Sequence, residues 1–250
     1  MTRRLIAIAA LCTALASASP AGAITNGSPD GNKHPNVGGL VADEAYSDGT
    51  WIYCSGTLIS PTVFLTAAHC AEDGERVRVT FSSEYQDGDK VYEGTFHADP
   101  LYNPSQSDPH DIAVVVLDKA VKGIAPARLP SAASLSNLSG SQKFTSVGYG
   151  AYEVTSGPGG HQYLYNDVRM VATGTLNSIN PSWLRISMNP SKGDGGTCYG
   201  DSGGPNFLGS TNIIAAITIT GDAVCRSTNV VYRLDTESAR NFLGQYVTLP

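Results

Sequence analysis

Apolar and polar residues alternate along Val77-Arg78-Val79-Thr80-Phe81, the period-two pattern of a strand with one face buried. Ile112 to Leu117 is instead an unbroken apolar run, and Ile213 to Ile219 is apolar but for Thr218. Runs of this length between turn residues predict strands buried on both faces. The intervals are rich in Gly, Pro, Asn, Asp and Ser, as in Asn103-Pro104-Ser105 and Ser156-Gly157-Pro158-Gly159-Gly160. Many short strands with frequent turns predict an all-β barrel or sandwich. Near the C-terminus the period changes. Ala239, Phe242, Leu243, Tyr246 and Val247 fall on one face of a helix, and Asp235 or Thr236 can cap its start. The stretch from Pro126 to Gly140, rich in Ser, Ala and Leu, is the expected connection between two halves.

The first residues follow another pattern. Arg3-Arg4 precedes an apolar run from Leu5 to Ala16, and Ala21-Gly22-Ala23 follows. A basic start, a short apolar core and an A-x-A end describe a secretory signal peptide over residues 1–23. The run is too short to span a bilayer, which takes about 20 residues. Removing it takes two arginines and no acid from a net charge of -6, leaving -8 over 227 residues. That acidic balance, without a Lys/Arg cluster, excludes an ordinary nucleic-acid binder. No membrane association is expected after the leader is removed. Cys12 leaves with the leader, and Cys54, Cys70, Cys198 and Cys225 remain. An even count in an exported chain implies two disulfides, with three pairings open.

Three segments carry candidate chemistry: Thr66-Ala67-Ala68-His69-Cys70, His110-Asp111-Ile112-Ala113, and Gly200-Asp201-Ser202-Gly203-Gly204-Pro205. A Ser hydroxyl is a weak nucleophile at neutral pH and needs a base to take its proton. A neutral imidazole suits that task, and a buried carboxylate fixes its tautomer. Gly200-x-Ser202-x-Gly204 also fits the nucleophile elbow of α/β-hydrolases, which place the catalytic His after the Ser. All five histidines here (34, 69, 97, 110 and 161) precede Ser202, so that reading has no base. The order His, Asp, Ser also differs from that of the subtilisins.

On these motifs the chain resembles the trypsin/chymotrypsin family of secreted serine proteases. Val147-Gly148-Tyr149-Gly150 looks like that family's Gly-aromatic-Gly segment. The resemblance runs from Ile24 to the C-terminal helix. It implies two antiparallel six-stranded Greek-key β-barrels, chymotrypsin-like, with halves at 24–130 and 131–250. It implies a triad of His69, Asp111 and Ser202, an oxyanion hole made by the amides of Gly200 and Ser202, and disulfides Cys54–Cys70 and Cys198–Cys225. No cofactor and no catalytic metal are implied. Protein or peptide substrates, protein protease inhibitors and a monomeric state are expected, in a secreted, extracellular enzyme.

The resemblance also implies that a new α-amine at Ile24 pairs with Asp201. Ile24 directly follows Ala23, so the leader peptidase itself is expected to make the activating end. Cleavage after Ala16-Ser17-Ala18, leaving Ser19 to Ala23, stays open because A-x-A fits both sites. The primary pocket is expected from Gly196, Thr197, Thr218, Thr220 and Val230. Gly at 196, where a trypsin carries Asp, argues against an Arg or Lys preference, with Asp194 as a substitute carboxylate. Thr220 and Val230, where chymotrypsin-like members carry Gly, are stiff β-branched side chains that narrow the pocket. A preference for small aliphatic residues follows. Thr218 takes the place of a Ser beside the catalytic Asp, and Tyr199 is expected at the rim. Glu84, Asp87, Asp89 and Glu93 lie where some members hold calcium, although a solvated acidic loop is the expectation. Asn26-Gly27-Ser28 and Asn137-Leu138-Ser139 fit the glycosylation pattern.

Overall fold

The computed structural model describes Ile24 and residues 26–250. The expected leader, 1–23, lies outside the described residues, as does Thr25. The first half holds β1 (Ser28–Pro29), β2 (Val37–Val41), β3 (Ile52–Ser60), β4 (Val63–Thr66), β5 (Arg76–Thr80), β6 (Val91–Ala98) and β7 (Ala113–Leu117). The second holds β8 (Lys143–Gly148), β9 (Glu153–Gly157), β10 (Gly160–Leu164), β11 (Met170–Ile179), β12 (Trp183–Ser187), β13 (Pro205–Leu208), β14 (Ile214–Gly221) and β15 (Thr228–Arg233). One α-helix, α1 (Glu237–Leu243), follows.

Strands β2-β3-β4-β7-β6-β5 close into one barrel. Strands β8-β11-β12-β15-β14-β13 close into a second through the β8–β11 and β13–β8 pairings. Every pairing in both barrels is antiparallel. The strand order is the same in each, so the molecule is one barrel plan used twice. β1 adds to β11, placing the start of the described chain on the second barrel.

The continuous apolar run at β7 has a simple cause. Ala113, Val115 and Leu117 face the interior of the first barrel with Leu40, Leu58, Phe64 and Phe96. Ile112 and Val114 face a seam between the barrels, beside Val147, Phe207, Ile217 and Tyr232. Alternate side chains of one strand thus serve two cores. In β5, by contrast, Val77 and Val79 are buried and Arg78 between them is half-buried, but the alternation stops at Thr80, which is fully buried too. Ala239, Phe242 and Leu243 of α1 close the seam. The helix ends at Leu243, before the apolar face does, yet Tyr246 and Val247 still pack on that seam. Thr236 caps it by accepting the Ala239 N–H.

One buried cation crosses the seam. Arg169 is fully buried, its Nε 3.0 Å from Asp30 Oδ2, and it donates to the carbonyls of Gly31, Val37 and Phe81. Removing one partner of such a pair costs about 3–5 kcal/mol, because the other charge stays buried.

Candidate active site

β4 and β7 pair with Thr66 opposite Ala113. His69 lies three residues beyond Thr66, and Asp111 two before Ala113, so the register delivers both to the same end of the first barrel. His69 sits in a short 3-10 turn, Ala68–Cys70. The Cys54–Cys70 disulfide ties that turn to β3, and the Thr66 hydroxyl donates to the Ser55 carbonyl. Asp111 Oδ2 is 2.8 Å from His69 Nδ1, while Oδ1 accepts the His69 backbone N–H at 3.1 Å. Asp111 is nearly buried and His69 about one-third exposed. A carboxylate held at both oxygens fixes the ring and its tautomer, leaving Nε2 towards the open side.

Ser202 comes from the second barrel, on the loop that enters β13. Gly203 has φ +77°, and a Cβ there would lie 2.2 Å from Thr66 Oγ1 and 2.6 Å from the Ser55 carbonyl. Only glycine allows the loop so near the first barrel. The Ser55 N–H donates to the Ser202 carbonyl at 2.8 Å. The fully buried Ser55 hydroxyl donates to the Gly200 carbonyl and accepts the Tyr149 N–H. Ser55 therefore fixes both ends of the loop, a role nothing in the local sequence announces. Gly200 has φ +94°. Among the described residues, neither the Gly200 nor the Ser202 amide is taken by an acceptor.

Between them, Asp201 is fully buried. Its oxygens accept the Gly150 and Cys198 N–H groups at 2.8 Å. Burial pushes its carboxyl up to about 7, and these two donors hold it down only in part. Gly148 and Gly150 are small because Asp201 fills the space, since a Cβ at either would lie 2.2 to 2.5 Å from the carboxylate. Ile24 is buried beside Met170 and Ala172. In the full-length chain its nitrogen is a peptide nitrogen, and among the described residues no cation pairs with Asp201.

His69 and Ser202 line one cleft of about 500 Å³, together with Thr197, Tyr199, Gly200, Thr218 and Thr220. Val230 stands opposite Thr220 in the β14–β15 ladder, so the two side chains share a face. The β14–β15 ladder skips Ile219, and Val231 faces the barrel interior with Leu184 and Ala216. By alternation Asn229 then points inward and Val230 outward. A Cβ at Gly196 would run into Met188 at 2.3 Å. Asp194 cannot serve as a pocket carboxylate. It is buried against Lys143 Nζ at 2.9 Å and the Thr175 hydroxyl at 2.7 Å, and these donors hold its pKa below the usual range against the effect of burial. The Thr218 hydroxyl accepts the Asn206 amide at 3.0 Å, so it is turned into the barrel and away from Asp111. Asn206 also accepts from Ser146 and Asn229, making a buried polar group behind the cleft. Tyr199 is half exposed at the rim, edge-on to Tyr163.

Cys198 and Cys225 form the second disulfide. Glu84, Asp87, Asp89 and Glu93 do not gather into a ligand group. Asp89 instead accepts the Ser82 hydroxyl and the Gln86 N–H. Among the described residues the only close set of ligand-type side chains is Cys54, His69 and Cys70, and its sulfurs are in the disulfide. No helix among them is long and apolar enough to cross a membrane.

A family model described as Trypsin matches residues 32–241. The chain is 29% identical over 204 residues to a collagenase of Hypoderma lineatum, covering 74% of this chain and 72% of that protein. It is 28% identical over 160 residues to glucanase inhibitor protein 1 of Phytophthora sojae, covering 61% and 60% respectively. A solved HL collagenase structure superposes with a TM-score of 0.69 at 23% identity, covering 89% of this chain and 97% of that one.

Proposed function

Because this chain belongs to the trypsin family of serine-type endopeptidases, we propose that it hydrolyses peptide bonds through Ser202, His69 and Asp111 after export from the cell. The observation that carries the reading is the His69–Asp111 pair at 2.8 Å, with His69 lining one cleft with Ser202. His69 Nε2 takes the Ser202 proton as Oγ attacks the scissile carbonyl. The imidazolium formed is held by Asp111. The carbonyl oxygen becomes an oxyanion, and the amides of Gly200 and Ser202 donate to it. Losing one such donor in a comparable site costs about 100- to 1000-fold in rate. His69 then gives its proton to the leaving amine, and an acyl-enzyme forms on Ser202. Water attacks the ester by the same route reversed and regenerates the hydroxyl.

The pocket reading is a preference for small aliphatic residues on the acyl side of the cut bond. Three threonines, Thr197, Thr218 and Thr220, line the cleft. Asp194, the candidate for pairing a substrate Arg or Lys, is already neutralised by Lys143. The activation reading is that leader removal frees the Ile24 amine, which then pairs with the buried Asp201 carboxylate. N-terminal sequencing of secreted protein tests it, and a stable inactive product starting at Ser19 overturns it.

The deciding experiment assays secreted protein on peptide amides ending in Ala, Val, Leu, Phe or Arg, with the Ser202→Ala variant beside it. Cleavage after Ala or Val is expected, and the variant should lose about a million-fold in kcat. Cleavage after Arg or Phe keeps the triad and overturns the pocket reading. No cleavage by correctly processed protein sinks the enzymatic reading in favour of a cleft used for binding.

A further inference from the structure

The residue before Asp111 has no part in the chemistry above, yet its conformation and contacts are unusual. His110 has φ +51°, in the left-handed region that few residues other than glycine occupy. Asp111 is the middle of a three-residue turn, closed by the Ile112 N–H donating to the His110 carbonyl at 2.9 Å. A strained residue of this kind persists only where its surroundings over-determine it.

Those surroundings are specific. The His110 ring is mostly buried, with Nδ1 3.1 Å from Asp99 Oδ2 and Nε2 3.8 Å from Asp108 Oδ2. Each carboxylate is itself anchored. Asp99 accepts the Leu101 N–H through its other oxygen, and its own N–H donates to the Ile112 carbonyl, just past Asp111. Asp108 accepts the hydroxyls of Tyr232 in β15 at 2.9 Å and Ser238 in α1 at 2.8 Å. One imidazole thus joins the end of β6 to the second barrel and the C-terminal helix, with the Asp111 turn between.

We propose that His110 is a positioning residue: its imidazole, clamped between Asp99 and Asp108, holds the left-handed backbone that aims Asp111 at His69. The proposal rests on the triad reading, so its test needs one readout that requires turnover and one that does not. The variants are His110→Ala, His110→Asn and Asp99→Asn, with Ser202→Ala as a control for turnover.

Without turnover, the low-field proton NMR resonance of the His69–Asp111 hydrogen bond is followed in the intact protein. It should be present in the wild type and in Ser202→Ala, and shifted or lost in His110→Ala. With turnover, His110→Ala should lower kcat by about 10- to 100-fold, the scale of a small misplacement, while KM stays within about twofold. The acid limb of kcat/KM should move to lower pH, because a misaimed Asp111 stabilises the imidazolium less. His110→Asn should fall between, since Asn tolerates the left-handed region but cannot bridge both carboxylates. Should the alanine variant not fold, the Asn and Asp99→Asn variants decide by the same readouts. A folded variant with a lower melting temperature but an unchanged resonance, kcat and acid limb would overturn the proposal. Catalytic silence of every protein, with the resonance still sensitive to residue 110, would sink the triad reading alone.

Discussion

The two barrels share a strand order and differ in what they ask of their loops. The first builds the base and its carboxylate from strand ends that pair within one ladder, Thr66 opposite Ala113. Its interior is closed by Leu, Val and Phe. The second carries the proposed nucleophile on a loop with left-handed glycines at 200 and 203. Behind that loop are a buried carboxylate at Asp201 and a polar group of Ser146, Asn206, Thr218 and Asn229. The proposed proton-handling pair therefore hangs on short turns at the ends of two paired strands. The proposed nucleophile and its pocket depend on a loop built around one buried carboxylate.

The sharpest break comes on the first barrel. Asp111→Asn should lower kcat by about 10,000-fold, because an amide holds the His69 ring in the wrong tautomer. Steady-state kinetics beside a melting curve checks it, and a fall in melting temperature with little loss of kcat would contradict the assigned role.

The second barrel should break through charge. In the chain with its leader attached, the Asp201 carboxyl is pushed up to about 7 from an ordinary 3.8. A folded pKa above the unfolded one means that the folded protein holds a proton the unfolded chain releases. Stability is then greatest below about pH 4, falls as pH rises towards 7, and levels off above. The swing is on the order of 4 kcal/mol. Urea melts of the uncleaved chain from pH 4 to 8 should show this slope, and Asp201→Asn should flatten it. An equal slope in the variant would place the pH dependence elsewhere.

The disulfides sharpen the contrast next. Each closes a loop of similar length, with separations of 16 and 27 residues. In the chain-entropy model the loss of either costs about 3 kcal/mol. Their kinetic effects should differ. Cys54→Ser with Cys70→Ser releases the turn bearing His69 and should lower kcat. Cys198→Ser with Cys225→Ser loosens the cleft wall and should raise KM. The same kinetic effect from both pairs would dissolve the distinction between barrels.

The smallest effect lies in the pocket. Thr220→Gly should raise kcat/KM for a Phe amide relative to an Ala amide by about tenfold, the scale of a small volume change in such a site. An unchanged ratio would move the size limit to Thr197 or Thr218.

Much of this was readable in the chain because the signals are local. Alternation at 77–81 and the apolar runs at 112–117 and 213–219 become β5, β7 and β14, since strand periodicity is a property of neighbours. His69, Asp111 and Ser202 stand in short motifs whose glycines and flanking residues belong to the same turns. Two-sided burial of β7 followed from hydrophobicity alone.

What the chain did not disclose depends on contacts between distant residues. Val230 comes to stand opposite Thr220 because a skipped residue at Ile219 sets the β14–β15 register, and a slip of one reverses every face. Asp194 is silenced by Lys143, 51 residues away. The Thr218 hydroxyl turns to Asn206 rather than to Asp111. Ser55 links Gly200 to Tyr149 across the seam, and His110 lies between two first-barrel carboxylates, one of them anchored by Tyr232 and Ser238. The sequence by itself determined the strands and the order of the candidate reacting groups, because period and motif are written in adjacent positions. Tertiary structure alone decided which carboxylates are charged, which hydroxyls face the cleft and which side chains share a wall. Those outcomes turn on burial and on partners the chain brings together only when both barrels close.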